Sequence, residues 1–245
     1  MKRYLKIFKS GQFFRAVCIG DSTTSQEWCH PNWIDWLNFT FRETDNWQED
    51  WKRKFINSGR DGGTIEHFIE YFKEEVRLYQ PHVVIVSIGL NNLIPTFDSE
   101  EMKDSLKGLF YKIKNINSDL ITWSPYAIPK KRYLDDLEKI SNIYKSLTNE
   151  FEGVFIDIYR EFLKYDLDKL FTFISDGNEV WGIEPGKRDF LHCNVAGNQI
   201  IAEKIAKEGF GESLSNWEFG TMKLLDLSNF HHQPFSQSRG KPGEI

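Results

Sequence analysis

Residues 82–88 read HVVIVSI, an apolar run with no polar alternation. A strand with one wet face alternates apolar and polar side chains, so this one is buried on both faces, as in a parallel sheet covered by helices. Working outward, four further apolar runs read as strands: Phe13–Ile19, Lys54–Ile56, Leu120–Trp123 and Val154–Ile158. Helical stripes lie between them. Ile65, Phe68, Ile69, Phe72 and Val76 form one, and Met102, Leu106, Leu109 and Ile113 a second, with Asp98 and Glu101 spaced as a capping box. Leu134, Leu137, Ile140, Tyr144, Leu147 and Phe151 mark a third, and Val195, Ile200, Ile201 and Ile205 the last. Strands alternating with helices imply right-handed crossovers and an α/β fold around a parallel sheet covered on both sides.

A chain of 245 residues suits one sizeable α/β domain. Hydrophobic residues at 40% and charged residues at 27% fit a soluble globular protein, and an aromatic share of 15% predicts a ring-rich core and cleft. The net charge of −5 leaves no basic footprint for nucleic acid or for anionic membrane surfaces. Three cysteines, Cys18, Cys29 and Cys193, are an odd set in a chain too long to need stapling, which favours reduced thiols and a cytoplasmic location. Lys6, Lys9 and Arg15 interrupt the N-terminal apolar residues, so no signal-like run forms, and no segment is apolar for a membrane span. Two regions break the alternation. Residues 160–188 hold a short helical stretch and then a loop around Trp181, long enough to be functional or mobile. After about Gly211 the periodicity fades, so we expect one domain over 1–211 and a peripheral or partly disordered extension over 212–245.

Chemistry concentrates at four places. The first strand ends in Gly20-Asp21-Ser22, where a strand hands over to a helix N-terminus and its free N–H groups favour developing negative charge. Read alone, Asp21 and Ser22 are as well explained as helix caps. The second strand ends in Asn57-Ser58-Gly59-Arg60-Asp61-Gly62-Gly63-Thr64, where glycine lets a backbone N–H approach a substrate closely, or simply makes a turn. The third ends in Gly89-Leu90-Asn91-Asn92, a side-chain amide able to donate to an oxyanion, or a polar turn. The fourth, Asp189-Phe190-Leu191-His192-Cys193-Asn194, opens the last helix; an aspartate three residues before a histidine can supply a base and the acceptor that fixes its tautomer.

In this order the four motifs resemble the SGNH, or GDSL-type, hydrolase family over roughly Phe13–Ile205. The resemblance implies a three-layer α/β/α sandwich with a five-stranded, flavodoxin-like sheet. It places the nucleophile on Ser22, the acid and base on Asp189 and His192, and the oxyanion donors on the Ser22 and Gly59 N–H groups and the Asn91 side chain. Asn92 stands where the family usually has Asp, and Asp176 is a fallback for the acid. No cofactor or metal is expected, and the partner is a small-molecule ester.

Rival readings are weaker. Cys29-His30 and His192-Cys193 lack zinc spacing, and using His192 as a ligand would remove the base. Thr24 stands where an α/β-hydrolase elbow needs glycine, and no nucleotide-binding glycine run occurs. An acyltransferase with the same triad and a non-catalytic binding protein on this scaffold both stay open. Small acyl groups, acetyl above all, on a carbohydrate or other metabolite are the expected substrates, with Asp21, Trp28, Trp123 and Trp181 as candidate substrate contacts. Trp33 and Trp36, three apart, read as helix core.

Overall fold

Five strands pair in one all-parallel sheet of order β2-β1-β3-β4-β5, built from β1 (Phe14–Gly20), β2 (Arg53–Gly59), β3 (Val83–Ser87), β4 (Asp119–Trp123) and β5 (Val154–Ile156). The structure, a computed structural model, describes residues 1–43, 52–93, 97–177, 183–215 and 223–232. Every side chain of β3 is buried, which is why its sequence is apolar throughout. The register aligns Gly20 with both Gly59 and Ser87, so the carboxyl ends of β1, β2 and β3 lie level. The strand order reverses between β1 and β3, the place where sheets of this kind bind ligands.

The helices are α1 (Arg3–Lys9), α2 (Trp33–Glu43), α3 (Ile65–Glu70), α4 (Phe72–Glu75), α5 (Ser99–Asn115), α6 (Leu134–Glu150), α7 (Ile158–Phe162), α8 (Leu167–Leu170) and α9 (Val195–Lys204). α2 packs on α9, while α3 packs on α5 and α5 on α6. With right-handed crossovers these groups cover opposite faces, giving three layers. Asp98 caps α5 by accepting from the Glu100 and Glu101 N–H groups, as the spacing predicts. The stripe from Ile65 to Val76 predicts one helix but forms α3, α4 and a 3₁₀ turn at Arg77–Tyr79. Ile65, Phe68, Phe72 and Val76 are buried on both sides of the break, so periodicity cannot register an interruption that keeps the phase. α9 runs on as a π-helical turn, Ile205–Phe210, that ends on Gly211 in the left-handed region.

Lys6 and Lys9, two of the N-terminal charges, belong to α1. Its Tyr4 and Phe8, four apart, are buried, while Lys6 and Lys9 face water. Phe8 packs edge-on against Phe14 and Phe41, with Phe55 and Phe210 completing the cluster. The high aromatic content therefore serves the core as much as the cleft. Beyond α9, the Lys223–His232 stretch docks on the body: Gln199 pairs with the Leu225 backbone and the Asp166 N–H donates to the Phe230 carbonyl. Among the described residues, no helix is long and apolar enough to cross a membrane.

Candidate active site

Ser22 follows β1 in a tight turn, with the Thr24 and Ser25 N–H groups donating to the Asp21 carbonyl. The expectation that Ser22 sits on a helix N-terminus is corrected here, because α2 begins only at Trp33, where Asn32 caps it. What holds the turn is side-chain amides: Asn57 and Asn32 both donate to the Thr24 carbonyl, at 2.8 and 3.2 Å.

His192 and Asp189 reach Ser22 from the segment ahead of α9. The Ser22 Oγ stands 2.9 Å from His192 Nε2, and His192 Nδ1 stands 2.6 Å from Asp189 Oδ2. The other Asp189 oxygen accepts from the Leu191 and His192 N–H groups at 2.7 and 3.2 Å. Burial alone would raise the Asp189 carboxyl. The His192 imidazole and these two N–H groups outweigh it and hold the group below its ordinary range. An ionised acceptor behind Nδ1 fixes the tautomer that leaves Nε2 free to take a proton from Ser22. The segment is anchored in turn, since the Asp189 N–H donates to the Phe173 carbonyl and Asn194 caps α9 while donating to Lys169. Asp176 is exposed, and the acceptor at His192 Nδ1 is Asp189.

The loops after β2 and β3 face the serine, but not as the sequence suggests. The Gly59 N–H donates to its own Asn57 side chain at 2.8 Å, so Gly59 is not a free oxyanion donor. Its lack of a side chain has another cause: a Cβ there would stand 2.5 Å from the Ser25 nitrogen. Three residues on, Gly62 adopts φ +66°, and among the described residues its N–H has no hydrogen-bond partner. Asn91 turns toward the same loop and donates one amide proton to the Gly63 carbonyl at 3.0 Å, its second proton having no partner among the described residues. The Ser22 N–H is likewise without a hydrogen-bond partner among the described residues. Asn92 approaches Glu66 at 3.5 Å, where an aspartate would set two carboxylates side by side.

Two further expectations are corrected. Asp21 is 1% exposed and both its oxygens are occupied, by the Thr23 N–H at 3.0 Å and the Gly89 and Leu90 N–H groups at 3.3 Å. It ties the serine turn to the β3 loop and cannot reach a substrate; burial outweighs these bonds and pushes its carboxyl up. Trp123 is fully buried, edge-on to Trp33 at 5.7 Å, because β4 lies inside the sheet and its end is covered. Trp33 and Trp36 are core residues of α2, as their spacing predicts. Trp28 does line the cleft, but its ring lies flat on His192 at 3.7 Å, and its indole N–H donates to Asp61. Trp181 lies outside the described residues.

A cavity of about 10 Å³ opens beside the serine, lined by Ser22, Trp28, Cys29, Tyr126, His192 and Cys193. That is room for about one water. A wider groove of about 1070 Å³ lies at the opposite end of the sheet, among Arg3, Arg15, Arg77, His82 and Lys112, and touches none of this chemistry.

The family model for GDSL-like lipases and acylhydrolases matches residues 18–200, an interval that runs from the end of β1 into α9. The chain belongs to that family. By that membership it is a carboxylic ester hydrolase, and the SGNH resemblance read from the motifs holds. An acetylxylan esterase of Geobacillus stearothermophilus is 22% identical over 171 residues, 63% of this chain and 71% of its own length. A solved variant of an acetyl xylan esterase from the same organism superposes with a TM-score of 0.66 at 18% identity, covering 84% of this chain and 99% of that one. A lipase/acylhydrolase from Enterococcus faecalis gives a TM-score of 0.64 at 17% identity, covering 80% and 94%. At such identities the superpositions speak for the fold alone, which they place with the SGNH hydrolases.

Proposed function

We propose that this ester hydrolase removes a small acyl group, acetyl above all, from a carbohydrate or other small metabolite through a covalent Ser22 intermediate. The observation that carries it is the unbroken line from Ser22 Oγ through His192 to a buried, ionised Asp189. Ser22 Oγ attacks the ester carbonyl as His192 Nε2 takes its proton. The imidazolium, steadied by Asp189, then protonates the departing alcohol. Water attacks the acyl-serine as His192 removes its proton, and return of that proton to Ser22 frees the acid. Two solved variants of one acetylxylan esterase of Geobacillus stearothermophilus are catalytic mutants, a serine replaced by alanine in one and an aspartate in the other, which supports the same roles here.

The oxyanion reading moves by one glycine. The donors we assign are the Ser22 N–H, the Gly62 N–H and the spare Asn91 amide proton, with Gly59 released to pack against the serine turn. Asn91→Ala should lower kcat by on the order of 10²–10³. A steady-state assay showing less than about a tenfold loss would remove Asn91 from the role.

The acyl group is argued from likeness to the acetylxylan esterases. The three cysteines, all free and buried, fit a reducing compartment such as the cytoplasm. The test is a series of aryl esters from acetate to octanoate, run beside acetylated xylo-oligosaccharides. Acetate should give the highest kcat/KM, with a drop of at least about tenfold by butyrate. A preference for octanoate would overturn the small-acyl reading.

A further inference from the structure

We propose that Trp28 is a positioning residue for the base, fixing the plane of His192 and covering the imidazolium that forms as Ser22 is deprotonated; this rests on the proposed Ser22–His192 chemistry. The indole and imidazole rings lie 3.7 Å apart and 4° from parallel. The imidazole edges are already spoken for, Nδ1 by Asp189 and Nε2 by Ser22. Rotation about Cβ–Cγ would stretch both bonds, yet a small tilt of the ring costs them little. A ring pressed on the face opposes it.

The indole is held as well. Its Nε1–H donates to Asp61 Oδ1 at 2.9 Å, and Asp61 precedes Gly62 in the loop that faces Asn91. Trp28 therefore ties together the serine loop it belongs to, the base it covers and the loop that carries the assigned oxyanion donor. Its electrostatics favour the reacting state. An aromatic face attracts a cation and is nearly indifferent to a neutral ring, so the contact strengthens as His192 takes the proton. The same placement explains the 4% exposure of His192. It also leaves one face of the indole, at most, for a sugar.

Two variants of Trp28 test this, with Tm measured for each. Trp28→Ala should lower kcat on an aryl acetate by about ten- to thirtyfold with KM changed less than about threefold. Trp28→Phe keeps a stacking ring without the Asp61 bond and should recover most of that loss. A kcat within about twofold of wild type in Trp28→Ala, or a raised KM with kcat intact, would overturn the proposal and make Trp28 a substrate surface.

The second readout needs no substrate. A protonated imidazole quenches the emission of an indole stacked on it. Emission of wild type minus that of Trp28→Phe should therefore fall on acidification, and the fall should vanish in His192→Gln. The charged and titratable groups around the stack are Asp189 behind the imidazole, Asp61 on the indole, and the neighbouring thiols. Burial pushes Cys29 up to about 11 and Cys193 higher still, so neither titrates between pH 4 and 8. Asp61→Asn separates the remaining carboxylate. A fall that survives in His192→Gln overturns the stack. Turnover that survives Ser22→Ala sinks the esterase mechanism instead, and the emission titration still decides the contact.

Discussion

Ser22→Ala should abolish turnover, with kcat down by at least about 10⁴-fold and Tm nearly unchanged. The magnitude follows from what remains. Without Oγ there is no acyl-enzyme, and the oxyanion donors and binding contacts alone leave on the order of 10³–10⁴ over water, against losses near 10⁶ when such a serine is removed elsewhere. The fold has little stake in the hydroxyl. Ser22 is half-buried, its Oγ meets His192 alone among the described residues, and the turn is held by Asp21, Asn32 and Asn57. Steady-state kinetics with aryl acetate, beside a thermal melt, reads both. A variant keeping more than about a tenth of wild-type kcat would mean that another nucleophile acts.

The second large effect belongs to Asp189→Asn. The amide presents N–H where Nδ1–H needs an acceptor, or forces the tautomer that turns a proton toward Ser22, and kcat should fall by on the order of 10³–10⁴. Stability should respond with a defined sign. The folded carboxyl lies below its ordinary value near 3.8, so its contribution is complete above that value and drains away as pH falls through the lower folded value. The Tm gap between wild type and Asp189→Asn should therefore be widest at neutral pH and close below about pH 4. A gap that widens on acidification would show that the carboxyl is not held ionised by its surroundings.

The scaffold was legible because its determinants are local. HVVIVSI can only be a doubly buried strand, and β1, β4 and β5 carry the same signal within a residue or two. The relay was legible because Ser22, Asp189 and His192 each sit in a motif whose residue types the chemistry demands. What escaped depends on neighbours distant in sequence. Gly59 and Gly62 look alike on paper, and only the Asn57 side chain bonding Gly59 separates them. Trp123 and Trp28 look like equal candidates for a cleft wall. β4 lies within the sheet and buries the first, while the base approaches across 164 positions to cover the second. Asp21 reads as a substrate contact beside the nucleophile, yet the β3 loop closes over it. α1 was missed because its charges, counted along the chain, hide a two-residue apolar face.

Covalent labelling bears on the central claim most directly. A fluorophosphonate ester loses fluoride to an activated serine, leaving a stable adduct that peptide mass mapping can place. The account predicts a single adduct on the peptide carrying Ser22, formed far more slowly in His192→Ala and absent from Ser22→Ala. An unlabelled Ser22, or an adduct on another residue, would contradict it.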